Sequence, residues 1–397
     1  MQPERPPTIL PAIVASQFAG TSLWFAGNAV MADLQREFGL ADGAVATITS
    51  AVQLGFIAGT LVFAALNLAD RFSPRKVFLA CAMLGALANA AVFLIADTPW
   101  PYASLVAFRF ATGFFLAGIY PVGMKIAAGW YREGLGAALG YLVGALVLGT
   151  AFPHLVRALG AELPWRAVMG AVSALAISGG VVMYALVPDG PYLARGARFD
   201  PRAFATLFSV PALRASAFGY FGHMWELYTM WALVPLMIGA HASRHGATLD
   251  VSLWSFVVVA SGAIGCVVGG RASRSAGSAR VAAFQLRASG LCCVVSPFAY
   301  AAPTPVFLAF LVAWGIVVVG DSPQFSALTA SVAPRALLGS ALTLVNCIGF
   351  ALTIASLQLA AALGRWIPLE WWFVPIAAGP ALGLIAFRPL SGAGARA

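Results

Sequence analysis

Charge is what this chain has least of. Asp, Glu, Lys and Arg together make up 9% of its 397 residues, against about 25% in an ordinary soluble domain. So few charges cannot solvate a water-soluble surface of this size. Acidic residues are the scarcer kind, 14 against 23 basic, for a net charge of +9. That surplus does not indicate a nucleic-acid partner, which would need Lys and Arg gathered on one face. Here they are dispersed singly or in twos and threes between apolar runs. The five cysteines, Cys81, Cys266, Cys292, Cys293 and Cys347, all fall within apolar runs and lack paired spacing. They read as small hydrophobes, which argues against a disulfide framework or a thiolate metal site. Catalytic signatures are missing too: there is no H-E-x-x-H, no G-x-S-x-G and no G-x-x-x-x-G-K-[ST], so neither an enzyme nor a bound cofactor or metal is expected.

What the chain has instead is apolar length. Apolar residues make up 61% and the mean hydropathy is +0.88. A helix crossing a bilayer needs about 20 apolar residues, so twelve would use roughly 240 positions. Apolar segments separated by turn or charge signals predict spans at 8–30, 44–66, 74–96, 102–128, 135–156, 167–187, 215–238, 251–270, 281–300, 306–330, 337–363 and 371–387. The first is too long in its apolar region for a signal peptide, and polar residues recur along one side, so it reads as an uncleaved span. With the N-terminus cytoplasmic, seventeen of the 23 Lys and Arg fall on that side and five on the other, with Arg109 inside a span. This bias follows the positive-inside rule. It predicts a multi-pass protein of the cell inner membrane with both termini cytoplasmic.

The longest polar segment, about 188–214, divides the chain almost equally. The expected organisation is an N-terminal six-helix bundle (1–190), a cytoplasmic linker (191–214) and a C-terminal six-helix bundle (215–397). The halves also match each other at an offset near 203. Ala69-Asp70-Arg71 falls on Ala272-Ser273-Arg274, Tyr120-Pro121 on Ser322-Pro323, and Arg132, Gly136, Ala138 and Leu139 on Arg335, Gly339, Ala341 and Leu342. An internal repeat of six and six is the sign of a secondary transporter with its substrate site at mid-membrane depth between the repeats.

Leu68-Ala69-Asp70-Arg71-Phe72-Ser73-Pro74-Arg75-Lys76, between spans two and three, resembles the cytoplasmic loop signature of the major facilitator superfamily, G-x-L-A-D-R-x-G-R-K. Asn67 and the Ser73-Pro74 pair depart from it. A degraded copy follows at Gly270-Arg271-Ala272-Ser273-Arg274, and Arg109-x-x-Thr112-Gly113 in span four is similar to the family's R-x-x-q-G. The resemblance implies an all-α membrane fold of twelve transmembrane helices in two pseudo-symmetric six-helix bundles. It also implies that spans one, four, seven and ten line the cavity, and that the loop of Asp70, Arg71, Arg75 and Lys76 clamps one side in one state. Asp70 would approach the N-terminus of span eleven near Leu337, where a helix dipole favours an anion. The stretches 221–226 and 320–325 resemble bacterial nitrate/nitrite or cyanate transporter-like groups. The span-five signature of drug-efflux members is incomplete: Ala145 stands in place of its proline and Leu148 in place of one glycine. The remaining Gly136/Gly140/Gly144 ladder reads as a surface for close helix packing.

An ionisable side chain at mid-membrane costs at least about 2.5–3.5 kcal/mol, so each one there is a functional candidate. Arg109 (span four), His223 and Glu226 (span seven) and Asp321 (span ten) all lie deep in spans that the resemblance places around the cavity. Gln17, Thr21, Trp24 and Asn28 stack on one face of span one at spacings of four, three and four residues. His223, Glu226 and Met230 share a face of span seven with Trp231 at its edge. Arg109, Thr112, Leu116 and Tyr120 share one of span four, while Lys125 points almost oppositely and is expected to snorkel. Asp321 and Gln324 share a face of span ten beside Pro323, whose kink frees a carbonyl. Asn346 on span eleven and His154, after Pro153 in span five, complete the candidates.

Either Glu226 or Asp321 is the expected proton-coupling carboxylate, with His223 tuning Glu226 from one turn away. Arg109 is expected to pair with an acid, hold an anionic substrate or act structurally. The predicted function is proton-coupled secondary transport of a small solute by alternating access, with a small anion favoured. The alternatives are a drug or metabolite efflux antiporter and a transporter-like membrane receptor. The expected partners are the lipid bilayer, a small-molecule or anion substrate and protons, for a monomeric protein.

Overall fold

A computed structural model describes residues 6–41, 43–131, 135–160, 163–193 and 199–391, with no side-chain detail at 135 and 136. Every regular element among them is helical. The chain forms two compact units, Met1–Arg198 and Phe199–Ala397. Part of the linker expected at 191–214, and Arg132 of the repeat, lie outside the described residues. Within the linker the chain forms a helix, Arg202–Ser209, and span seven starts earlier than expected, at Pro211.

Among the described residues, ten helices are long and apolar enough to cross a membrane. Spans one and seven complete the expected twelve: the first is apolar but short, and the second carries buried polar residues along much of its length. Span one is divided into Ile9–Thr21 and Ala26–Ala29, and span seven runs unbroken over Pro211–His245 with His223, Glu226 and His241 inside it.

Four spans expected to be continuous are interrupted. Span one breaks at 22–25, span four between Pro101–Leu116 and Tyr120–Trp130, and span ten between Thr304–Val317 and Ser322–Val332. Span twelve comprises Leu369–Trp371, Phe373–Ile376 and Ala378–Ser391. In spans four and ten the cause is local. Pro121 and Pro323 occupy the first turn of the second segment, where a proline lacks the N–H that would bond back across the junction. Span one has no such breaker: the interrupted residues are Ser22-Leu23-Trp24-Phe25. Its cause is tertiary and is described with the site.

The units repeat one packing device. An added Cβ on Gly113 of span four would collide with the Val52 carbonyl oxygen of span two, and one on Gly315 of span ten with the Val258 carbonyl oxygen of span eight. The two glycines are related by the same offset of 202 that relates Tyr120-Pro121 to Ser322-Pro323. Bare glycine backbone thus lets the helices approach closely enough for packing and Cα–H···O contacts. The span-five ladder does not work this way. Nothing lies within 4 Å of a Cβ built on Gly140 or Gly144, so those two glycines do not mediate close packing among the described residues. Gly149 does, against the backbone of Phe18 and the Thr21 hydroxyl of span one.

Candidate functional site

Arg109, His223, Glu226 and Asp321 are all fully buried. Burying charge without partners is prohibitively expensive, and the partners divide these four residues into three arrangements.

Arg109 anchors the N-terminal unit. Its Nη2 donates to the carbonyl oxygens of Leu23 (3.0 Å) and Trp24 (2.7 Å), and its Nη1 donates to Asn89 Oδ1 (2.8 Å). The guanidinium thereby donates to the carbonyls that the interruption of span one removes from the helical ladder, which explains a break with no local breaker. Asn89 in turn donates to the Met169 carbonyl (3.2 Å) and to Ser173 Oγ (3.0 Å) on span six. No acidic side chain pairs with Arg109 among the described residues, so of the three roles expected for it, pairing with an acid is the one these contacts do not supply. Its donors face backbone because the break sets two carbonyls within reach of span four.

Around that anchor lies a set of neutral polar groups. Trp24 Nε1 donates to Gln53 Oε1 (3.1 Å), and Asn28 Nδ2 donates to Thr49 Oγ1 (2.8 Å). Trp24 also packs against Phe56 with ring centroids 4.9 Å apart. Gln53 Nε2, Asn28 Oδ1, both amide atoms of Gln17 and His154 Nε2 are buried with no hydrogen-bond partner among the described residues. Tyr120 is half-buried at the start of the second segment of span four.

In the C-terminal unit, His223 Nδ1 lies 2.8 Å from Asp321 Oδ1. Asp321 is the residue that precedes the second segment of span ten, so the pair spans the break. Tyr220 and Phe325 flank the imidazole, with ring centroids 5.7 and 6.4 Å away. Neither ring nitrogen of His223 and neither carboxylate oxygen of Asp321 has a hydrogen-bond partner of good geometry among the described residues, so the approach is one of charge and proximity.

Glu226 faces elsewhere. It accepts hydrogen bonds from Ser289 Oγ and from Cys293 Sγ (3.1 Å), both on span nine. His223 was expected to tune it; the structure gives His223 to Asp321 instead. Three residues of helix rotate a side chain by about 60° from its starting face, enough to send one towards span ten and the other towards span nine. Cys293 is accordingly more than a small hydrophobe.

The other candidates are dispersed. Trp231 and Gln324 are buried, and Asn346 accepts a hydrogen bond from Tyr220 Oη (3.0 Å). In the loop, Lys125 Nζ meets Asp70 Oδ1 at 2.5 Å, so the lysine does not simply snorkel into solvent but ends on the signature acid. Arg75 donates to the Tyr184 carbonyl (3.2 Å) and lies over its ring, whereas Arg71 and Lys76 are exposed. Asn89, Gln53, Ser289 and Cys293 were not singled out from the sequence. The available signal was a lone amide inside an apolar run, as at Asn89 in span three and Gln53 in span two.

The sequence profile of the Major Facilitator Superfamily matches residues 13–357. The chain belongs to that superfamily. Two solved members share its architecture. One is a mutant of the nucleoside transporter NupG, with TM-score 0.71, 13% identity and coverage of 97% of this chain and 100% of the other. The second is the proton:xylose symporter XylE bound to 6-bromo-6-deoxy-D-glucose, with TM-score 0.72, 12% identity and coverage of 97% and 96%. At such identities the likeness is one of fold. No protein of curated function matches the sequence. Membership makes the chain a multi-pass membrane protein of transporter type and points away from an enzyme.

Proposed function

We propose that this protein is a proton-coupled secondary transporter of the cell inner membrane, moving a small polar solute by alternating access. The observation that supports coupling is the His223–Asp321 contact of 2.8 Å, fully buried across the break in span ten. Two ionisable groups this close in a dry site interact strongly, so the charge on one alters the cost of charge on the other. A helix interrupted at that point can change its path when the pair gains or loses a proton. Of the two acids, Asp321 is thus the coupling carboxylate and Glu226 is held apart by span nine.

Substrate class follows from which polar groups are spent. Arg109 uses Nη1 and Nη2 on Asn89 and on span one and keeps only Nε unpartnered among the described residues, so an anion gripped by two guanidinium nitrogens would have to displace bonds that hold a helix. Asn28, Gln53 and Gln17 keep unpartnered amide atoms, that of Gln53 beside Trp24. Neutral donors and acceptors next to an aromatic ring suit an uncharged hydrogen-bonding solute better than the small anion the sequence favoured. Sugars and nucleosides, transported by the two structural neighbours, are the first classes to test.

A thermal-shift screen of purified protein against sugars, nucleosides and small anions would identify a ligand. Proteoliposome flux would follow. Under an imposed pH gradient, Asp321→Asn and His223→Gln are expected to abolish accumulation while retaining solute exchange at equal concentration across the membrane. Full accumulation by both variants would rule out this pair as the coupling site. Stabilisation by anions alone would reject the neutral-solute reading.

A further inference from the structure

The linker helix Arg202–Ser209 is held by one face. Ala203 and Leu207 are fully buried, and at its start the Asp200 backbone N–H donates to Ser340 Oγ of span eleven (2.9 Å). The other side presents Phe204, 54% exposed, and Phe208, 37% exposed, with ring centroids 5.1 Å apart. The aromatic row continues onto span seven: Phe208 meets Phe218 at 6.3 Å, and Phe218 meets Phe221 at 5.5 Å. Phe218 is itself 38% exposed near the start of span seven, whereas Phe221 beyond it is buried. The row therefore runs from the exposed side of the linker helix onto the first turns of span seven.

Charge flanks that row. Arg202 opens the helix, and Arg214 Nη1 donates to the Phe208 carbonyl at its end (3.0 Å). The Asp200 carboxylate caps the Arg202 backbone N–H at 2.9 Å. From 195 to 214 the sequence has four arginines and one aspartate. Two exposed phenylalanines with basic residues at both ends of a short helix fit the boundary between acyl chains and anionic headgroups.

We propose that this helix is an in-plane membrane anchor that binds anionic phospholipid headgroups through Arg202 and Arg214, with Phe204 and Phe208 inserted among the upper acyl chains. The site ties the start of the second unit to the bilayer surface, on the side rich in Lys and Arg.

The test uses the whole protein in bilayers. Phe204→Trp and Phe208→Trp each add one indole, whose emission is read as the difference from the parent protein. In bilayers containing phosphatidylglycerol, the added emission should be blue-shifted and quenched most by lipids brominated near the headgroup end of the chain. Retention of phosphatidylglycerol through purification should fall roughly fivefold in Arg202→Gln and further with Arg214→Gln, the effect of about one surface arginine each. A red-shifted, unquenched indole would overturn the anchor. So would a blue-shifted indole that no brominated lipid quenches, because protein would then cover the helix. Equal retention of phosphatidylglycerol and phosphatidylcholine would overturn the headgroup recognition.

Discussion

Asn89 is the point where three spans of the N-terminal unit meet, and replacing it tests how the broken first helix is held. Its Oδ1 accepts from Arg109 Nη1 at 2.8 Å, while its Nδ2 donates to Met169 O at 3.2 Å and to Ser173 Oγ at 3.0 Å. Asn89→Leu keeps a side chain of similar length and removes all three bonds. The largest loss is the acceptor for the guanidinium, because a charge-assisted bond contributes about 1.5–3 kcal/mol and the orphaned donor is buried. The two neutral bonds add about 0.5–1 kcal/mol each on the scale measured inside membranes. The sum is a destabilisation of about 3–5 kcal/mol. Ser173→Ala removes one neutral bond alone and should cost about 1 kcal/mol or less. Reversible unfolding of both variants in detergent micelles would compare them. A double variant, Asn89→Leu with Arg109→Met, should be less destabilised than the sum of the two single changes, because neither then leaves the other unpaired. Asn89→Leu and Ser173→Ala within about 0.5 kcal/mol of each other, with additive double-variant behaviour, would refute the network, since that difference is the usual scatter of independent sites.

Three further outcomes follow from particular contacts. Gly113→Ala should destabilise the N-terminal unit by about 1–3 kcal/mol, the usual penalty of overpacking, with Gly315→Ala doing the same in the C-terminal unit; unchanged unfolding in either would contradict the close approach of those helices. Glu37, outside the spans, accepts a hydrogen bond from Trp165 Nε1 at 2.6 Å and faces Arg166 at 2.9 Å, and together they hold its carboxyl below the usual 4.5. A depressed carboxyl stabilises the fold above its ordinary value and loses that contribution as pH falls through the native one. Trp165→Phe should therefore start acid unfolding at higher pH, and an unshifted acid limb in a fluorescence titration would count against the contact. Asp70→Asn and Lys125→Ala should each change transport rate without weakening solute binding, because their ion pair lies at the loop and away from the candidate cavity groups; a pure loss of solute affinity would sink the gating role.

The sequence alone determined the membrane architecture, because hydropathy and charge asymmetry are linear properties that each segment carries by itself. Twelve spans, the repeat near offset 203 and the loop around Asp70 were all legible for that reason. So were the breaks of spans four and ten, where Pro121 and Pro323 act on their own backbone. The break of span one was not. Its carbonyls accept hydrogen bonds from Arg109, 85 residues away, and no local signal encodes a partner at that distance. The same holds for the buried charges: their depth could be read from spacing, but Asn89 for Arg109, Asp321 for His223 and Ser289 for Glu226 were chosen by tertiary packing. A helix face fixes a direction to within a quarter turn, and which neighbouring helix lies in that direction is decided only when the bundle closes.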